Sequence, residues 1–390
     1  MVIRNTYFDT AYQIVEKLQE TSISGRHAII LFRYALFAER QYQAVVETDE
    51  SELLRHDMET KRKEVLDLDS LISSETKTDK QSSSYRKLSQ DRRKAALLLD
   101  QDSQKYKSHV QKIYVFLRDS IRMFAGCLRL SDMYDDDVLT RLCSLWFRNF
   151  DDEQLQKYIN ASIANIPSRK FIFFAHQLTA LLSTSLTNGD TQSQSTRTLH
   201  DLVLKLSREH PYHCLYQLHA LRMGDGTEDG STSERANARQ QAAATVLNQV
   251  RGRTIEGSRL QTIEQICEAY IEWAVWAIPQ PDPGSQNSGV PIPRAAKLVK
   301  LEAPNVPIPT IWTPVDPTCE YKNVVGIRRY ASKYKTSGGV NLPKINDCYG
   351  TDGKIYRQVV CPSESMMSIS HKRMTYHLSV QRSRRAARRR

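Results

Sequence analysis

The chain has 390 residues, 40% of them hydrophobic, with a formal net charge of +11. That length and composition suffice for one or two sizeable cores, so folded structure is the default expectation. No apolar run approaches the length of a bilayer span, and the most apolar stretch, Ala28 to Phe37, is broken by Arg33, so the sequence predicts no membrane helix.

The charge is unevenly placed. Residues 361–390 carry eight Lys/Arg against Glu364, a balance of +7 that leaves +4 for residues 1–360. The body is therefore near neutral for its size, and composition does not mark it as a nucleic-acid-binding domain. The opening Met1-Val-Ile-Arg-Asn-Thr6 lacks the apolar core of a signal peptide. Seven widely spaced cysteines without a Cys-x-x-Cys pair fit reduced thiols in cytosol or nucleus. A soluble intracellular protein is the expectation.

From Arg26 to Ala125 the chain contains neither Gly nor Pro, which predicts long helices. Ala28, Leu31, Phe32, Ala35 and Leu36 make one apolar stripe. Val110, Ile113, Tyr114, Leu117, Ile121, Phe124 and Leu128 make another. Ser73 to Ser84, polar on every face, reads as a loop between helices. Shorter helices follow at Val138–Phe147, Phe171–Leu186, around Leu199–Leu206 and at Leu260–Trp276, each bounded by turn or capping residues. One-sided stripes on successive helices imply a stack in which each pair buries its face on the next, and the absence of a fixed period makes it an irregular α-solenoid.

The composition then changes. Ten of the 14 prolines lie between Pro279 and Pro317, so residues 277–318 are expected to be an extended linker. Beyond it, Val324–Tyr334, Val340–Tyr349 and Lys354–Val360 are rich in Val, Ile and Tyr and predict a small antiparallel sheet after about residue 320. Gly350-Thr-Asp-Gly353 supplies a hairpin turn.

Four clusters carry potential chemistry. His210-Pro-Tyr-His-Cys214 has metal-ligating side chains, but zinc takes four ligands and no second pair stands at ligand spacing. Pro211 opening a helix, with His213 packed or capping, is the better account, and no metal site is expected. Asp135-Asp136-Asp137 suits the positive end of a helix dipole. Ser337-Gly-Gly-Val-Asn-Leu-Pro-Lys344 is a Gly-containing strand-to-strand loop, which can present backbone N–H groups to phosphate, although a Gly-Gly turn without ligand is the commoner case. Gln381 to Arg390 holds six arginines in ten positions; it reads equally as a solvated tail or as a nuclear-localisation or polyanion-binding patch. No catalytic arrangement follows from spacing, so no catalytic residue is assigned.

Two stretches, Glu320-Tyr-Lys-Asn-Val-Val-Gly-Ile-Arg-Arg-Tyr330 and Ser337 through Gln358, resemble the start of the kinase domain in phosphatidylinositol-3-kinase-related protein kinases, most closely the ataxia-telangiectasia-mutated type. The second is carried by Gly338-Gly-Val-Asn-Leu-Pro-Lys-Ile345, Asp352-Gly-Lys354 and Arg357-Gln358. Arg141-Leu-Cys-Ser-Leu-Trp146, Ile166-Pro-Ser-Arg-Lys-Phe171, Glu209-His-Pro-Tyr-His213 and Ala269-Tyr-Ile-Glu-Trp273 are similar, in order, to that family's FAT region. The resemblance implies a FAT-type helical region over 1–276, the proline-rich linker, a partial kinase N-lobe over 319–360 and a divergent basic tail over 361–390.

It implies as well a nuclear Ser/Thr kinase using ATP and magnesium, acting on Ser/Thr-Gln sites in double-strand-break signalling and telomere maintenance. DNA-break sensor proteins and kinase-domain contacts would be its partners, with a homodimer as a further expectation and direct nucleic-acid contact confined to the Arg-rich tail. In that picture Ser337, Gly338, Gly339, Val340, Asn341 and Lys344 contact the nucleotide.

Where the family places an ATP-contacting lysine, this chain has Cys361, and the resemblance stops there. No Asp-Phe-Gly occurs in the sequence. A thiol supplies no fixed positive charge to a transferring phosphate. A frameshift, retained intron or faulty gene model produces such an abrupt end. The expectation is therefore a truncated member of the family without catalysis of its own; a non-enzymatic helical scaffold binding the full-length kinase or its partners is the alternative.

Overall fold

A computed structural model describes residues 25–75, 83–182, 194–223, 234–277, 289–336 and 343–360. The chain divides into two compact units, residues 1–166 and 167–390.

In the first unit, among the described residues, the stretch free of Gly and Pro lies in three helices that run slightly past its ends: α1 (Gly25–Val46), α2 (Glu50–Glu75) and α3 (Ser83–Leu130). At 1.5 Å per residue, the 48 residues of α3 make a rod of roughly 70 Å. Its stripe is buried at Leu117, Ile121, Phe124 and Leu128, and Ala28, Leu31 and Ala35 of α1 are buried as well. Arg92 of α3 reaches Asp69 of α2 at 2.9 Å.

Asp135–Asp137 form the first turn of α4 (Asp135–Arg148), where three carboxylates face the positive end of the helix. Helix α5 (Glu153–Ile163) is capped by Asp152, which accepts from the Leu155 amide at 3.0 Å. The fully buried Trp146 indole donates to Gln156 Oε1 at 2.8 Å, and the Gln156 amide donates to the Asn149 carbonyl at 3.0 Å. A polar group sealed in a core costs about 1–3 kcal/mol if unpaired, so each of these two residues requires the other.

The second unit begins with a 3-10 turn (Ser168–Phe174) and continues through α6 (Ala175–Leu181), α7 (Gln194–Glu209), α8 (Pro211–Met223), α9 (Glu234–Arg251) and α10 (Thr254–Val275). Residues 183–186 of the expected Phe171–Leu186 helix lie outside the described residues. Pro211 starts α8 as expected, because the first turn of a helix needs no amide donor there. Glu264 of α10 ties three helices together, accepting from Arg222 at 2.9 Å and Arg251 at 2.7 Å.

The sheet is antiparallel throughout. Strand β3 (Gly326–Thr336) pairs with β4 (Lys344–Gly350), and β4 with β5 (Ile355–Val360). Gly350 to Gly353 make the expected turn, with Gly353 at φ +78.

The outer edge of β3 corrects the sequence reading, which placed no strand before about residue 320. Two strands within the expected linker, β1 (Val290–Pro291) and β2 (Ala303–Pro307), pair with β3, and a short helix α11 (Lys297–Lys300) lies between them. Prolines disguised these strands. A residue without an amide donor is excluded from a central strand but tolerated on an edge, where β1 and β2 lie. Gly326 marks the close approach of β2: a Cβ there would stand 2.2 Å from the Pro304 carbonyl oxygen.

Candidate functional site

Strands place alternate residues on opposite faces, and β4 uses that alternation in an unusual way. Lys344, Asn346, Cys348 and Gly350 are its buried positions, and the first two are polar. They face α10 together with Tyr330 and Tyr334 of β3 and Gln358 of β5.

Each of these polar groups finds a partner. The Trp273 indole donates to Asn346 Oδ1 at 3.1 Å. The hydroxyls of Tyr270 and Tyr330 lie 2.5 Å apart, so that one donates to the other, and Gln358 Oε1 stands within reach of both, at 2.7 and 3.1 Å, to accept the proton that remains. The Gln358 amide donates to Thr310 Oγ1 at 3.3 Å. Trp273 stacks edge-on against Tyr334 with ring centres 5.0 Å apart. Burial holds both the Tyr270 and the Tyr330 phenol far above the usual tyrosine range.

Lys344 is the anchor of this arrangement. Its ammonium donates to the carbonyl oxygens of Trp273 at 2.7 Å, Ala274 at 3.1 Å and Trp276 at 2.8 Å. Those oxygens end α10, where four carbonyls lack partners within the helix and the helix dipole is negative. An ammonium has three protons, so the three bonds use its whole donor capacity. Burial pushes its pKa down to about 8.

Lys344 and Thr336 are directly paired across the ladder, so residues 337–343 are the connection between β3 and β4. Of the residues expected to contact nucleotide, Ser337, Gly338, Gly339, Val340 and Asn341 lie outside the described residues, as does Cys361. Lys344 is described, and its side chain turns inward onto α10, leaving only 1% of the residue exposed. Its charge is spent on helix carbonyls, a use that sequence reasoning missed. The period-two pattern of β4 was the available signal, since it puts Lys344 on the face of Asn346 and Cys348.

Among the described residues no helix is long and apolar enough to cross a membrane. No family model matches the chain. The serine-protein kinase ATM of Sus scrofa is 32% identical over 263 residues, which are 63% of this chain and 8% of that protein. The serine/threonine-protein kinase TEL1 of Cryptococcus neoformans is 24% identical over 344 residues, 87% of this chain and 11% of that protein. The solved structure described as the FAT and kinase domain of CtTel1 matches with a TM-score of 0.63 at 23% identity, over 90% of this chain and 22% of that one.

These matches and the geometry define the class: an irregular FAT-type helical array followed by a small antiparallel sheet of the kind that opens a kinase N-lobe. Over much of its length the chain is similar in sequence to the ATM/Tel1 serine/threonine kinases. It spans about a tenth of the length of these curated relatives.

Proposed function

We propose that this polypeptide is the junction of an ATM/Tel1-type checkpoint kinase at which FAT-type helices meet the opening strands of the small lobe, and that residues 337–341 lie over the phosphates of ATP. The β3–β4 ladder carries this reading. It delivers a Gly-Gly connection between two antiparallel strands, the kind of element that covers phosphates in protein kinases. In this reading the backbone N–H groups of Ser337 to Asn341 make the phosphate contacts, and Lys344 fixes the far end of the loop to α10. The small-lobe portion begins by Val290, and residues 1–276 are the FAT-type region.

The same reading brings ATP with magnesium, Ser/Thr-Gln substrates, a nuclear location, DNA-break sensor partners and roles in repair and telomere maintenance. A homodimer belongs with it, in keeping with the solved structure described as the complete CtTel1 dimer with C2 symmetry.

Residues 1–390 alone are proposed to be catalytically silent. Phosphoryl transfer needs positioned metal ions, an orienting base and positive charge on the phosphates. The sequence contains no Asp-Phe-Gly, and Cys361 stands where the resemblance expects a lysine. A longer protein carrying this segment would supply those groups from residues outside it.

The test is a phosphotransfer assay on the purified 390-residue chain with ATP, magnesium and a Ser-Gln peptide, beside a binding assay with a fluorescent ATP analogue. No transfer is expected, with weak nucleotide binding that Gly339→Glu abolishes. Transfer that persists after contaminating kinases are removed would overturn the silent reading. Nucleotide binding indifferent to Gly339→Glu would overturn the loop assignment.

A further inference from the structure

His210 sits at the junction of α7 and α8, fully buried, and both of its ring nitrogens are engaged. Nδ1 lies 2.6 Å from the Tyr321 hydroxyl. Nε2 lies 3.0 Å from Ser168 Oγ and 3.9 Å from Cys319 Sγ. The carboxylate of Glu209 completes a cluster in which one ligand atom from each of Glu209, His210 and Cys319 falls within 4.8 Å of the others.

We propose that Glu209, His210 and Cys319 bind a single divalent cation of the zinc type, with water in the fourth position.

The donor set and its spacing carry the proposal. Imidazole, thiolate and carboxylate are the three ligand types that zinc takes from proteins, and three protein ligands plus water is an established arrangement. With Zn–N near 2.0 Å and Zn–S near 2.3 Å, a tetrahedral ion holds nitrogen and sulfur about 3.6 Å apart. The observed 3.9 Å requires only a few tenths of an ångström of closure, and the Glu209 carboxylate, within 4.8 Å of both, would swing in by up to about 1.5 Å, a rotamer adjustment open to a partly exposed side chain.

The Tyr321 contact supplies the outer support such a histidine needs. With a proton on Nδ1 directed at the Tyr321 oxygen, the Nε2 lone pair accepts from the Ser168 hydroxyl at 3.0 Å, and a bound ion would displace that hydroxyl on the side where Cys319 stands 3.9 Å away. Glu209 and Cys319 are each partly exposed, so an ion can enter from solvent. The nearby carboxylate of Asp316 adds negative charge, while Arg169 and Lys205 oppose it.

The backbone around Cys319 is specialised. Cys319 and Tyr321 both have positive φ, +62 and +53, and neither is glycine. Asp316 holds this turn by accepting from the Tyr321 amide at 2.7 Å and the Thr318 amide at 2.9 Å. The result brings a thiol to a histidine 109 positions earlier in the chain. That separation is why ligand spacing within His210–Cys214 did not disclose the site.

The full 390-residue chain, stripped with a chelator, would be titrated with zinc and separately with cobalt as a spectroscopic stand-in. One equivalent should bind, and cobalt should give a thiolate charge-transfer band in the near ultraviolet. Cys319→Ser should abolish that band and weaken zinc binding by about a hundredfold or more, whereas Cys361→Ser should leave both unchanged. Tyr321→Phe should weaken binding by about 10- to 100-fold while keeping the band. If Cys319→Ser does not fold, Glu209→Gln provides the second reading, and it should loosen the ion without removing the band. No band in the wild-type protein, or binding unchanged in Cys319→Ser and Glu209→Gln, would overturn the proposal.

Discussion

At Lys344 strand β4 turns an ammonium toward the end of α10 and meets three carbonyls there. Hydrogen bonds to a charged donor contribute about 1.5–3 kcal/mol each before desolvation is counted, and burial of the charge opposes them. Lys344→Met keeps most of the stem's bulk but leaves helix-terminal oxygens in a poorly solvated place. It should destabilise the 390-residue chain by about 1–3 kcal/mol in urea unfolding, because buried acceptors lose their donor. An unchanged midpoint would show that those oxygens reach water without the lysine. Tyr270, Tyr330 and Gln358 follow the same logic, each being buried with its polar atoms paired.

At the scale of elements, the contact between α10 and the sheet has a pH dependence whose sign can be worked out. Folded Lys344 titrates at about 8 and an unfolded lysine near 10.4, so between these values the unfolded chain holds the extra proton and stability rises with pH. The phenols of Tyr270 and Tyr330 are shifted upward, so above about pH 10 the unfolded chain loses protons that the folded chain keeps. Stability then falls, by at most about 1.4 kcal/mol per pH unit for each phenol. The buried thiols of Cys143, Cys214, Cys267 and Cys348 are also held above the ordinary cysteine range and lower stability from about pH 9. Urea unfolding followed by tryptophan fluorescence should therefore show a shallow gain only between about pH 8 and pH 9 and a loss beyond it, shallower in Tyr270→Phe. Stability still climbing above about pH 10 would contradict the upward thiol and phenol shifts.

The edge of the same sheet offers a separate check. Gly326→Val puts a branched side chain where a Cβ alone would stand 2.2 Å from the Pro304 oxygen. The β2–β3 pairing should open, and hydrogen exchange at Ile308, whose amide donates to the Val325 carbonyl at 3.1 Å, should accelerate. Protection at Ile308 equal to that of the wild type would show that the edge absorbs the side chain by moving as a unit.

For the whole molecule, the helical array and the sheet are each built from short-range pattern, whereas phosphoryl transfer requires groups from several segments at once. Cys361→Lys alone should accordingly leave the 390-residue chain without phosphotransfer, because one restored charge supplies neither metal ligands nor a base. Activity recovered by that single change would mean that the remaining groups lie within these residues. By itself, the sequence determined the long helices of residues 26–125, the α10 helix, the hairpin at Gly350–Gly353 and the kinship with the ATM/Tel1 kinases. Period, breakers and motif order are local properties, legible without knowing what packs on what. Only the tertiary structure decided that Lys344 faces a helix end rather than solvent, that prolines near residues 291 and 304 sit on a sheet edge, and that Cys319 meets His210. Those outcomes depend on which elements become neighbours in space, and residues far apart in the chain carry no mark of their meeting until the fold brings them together.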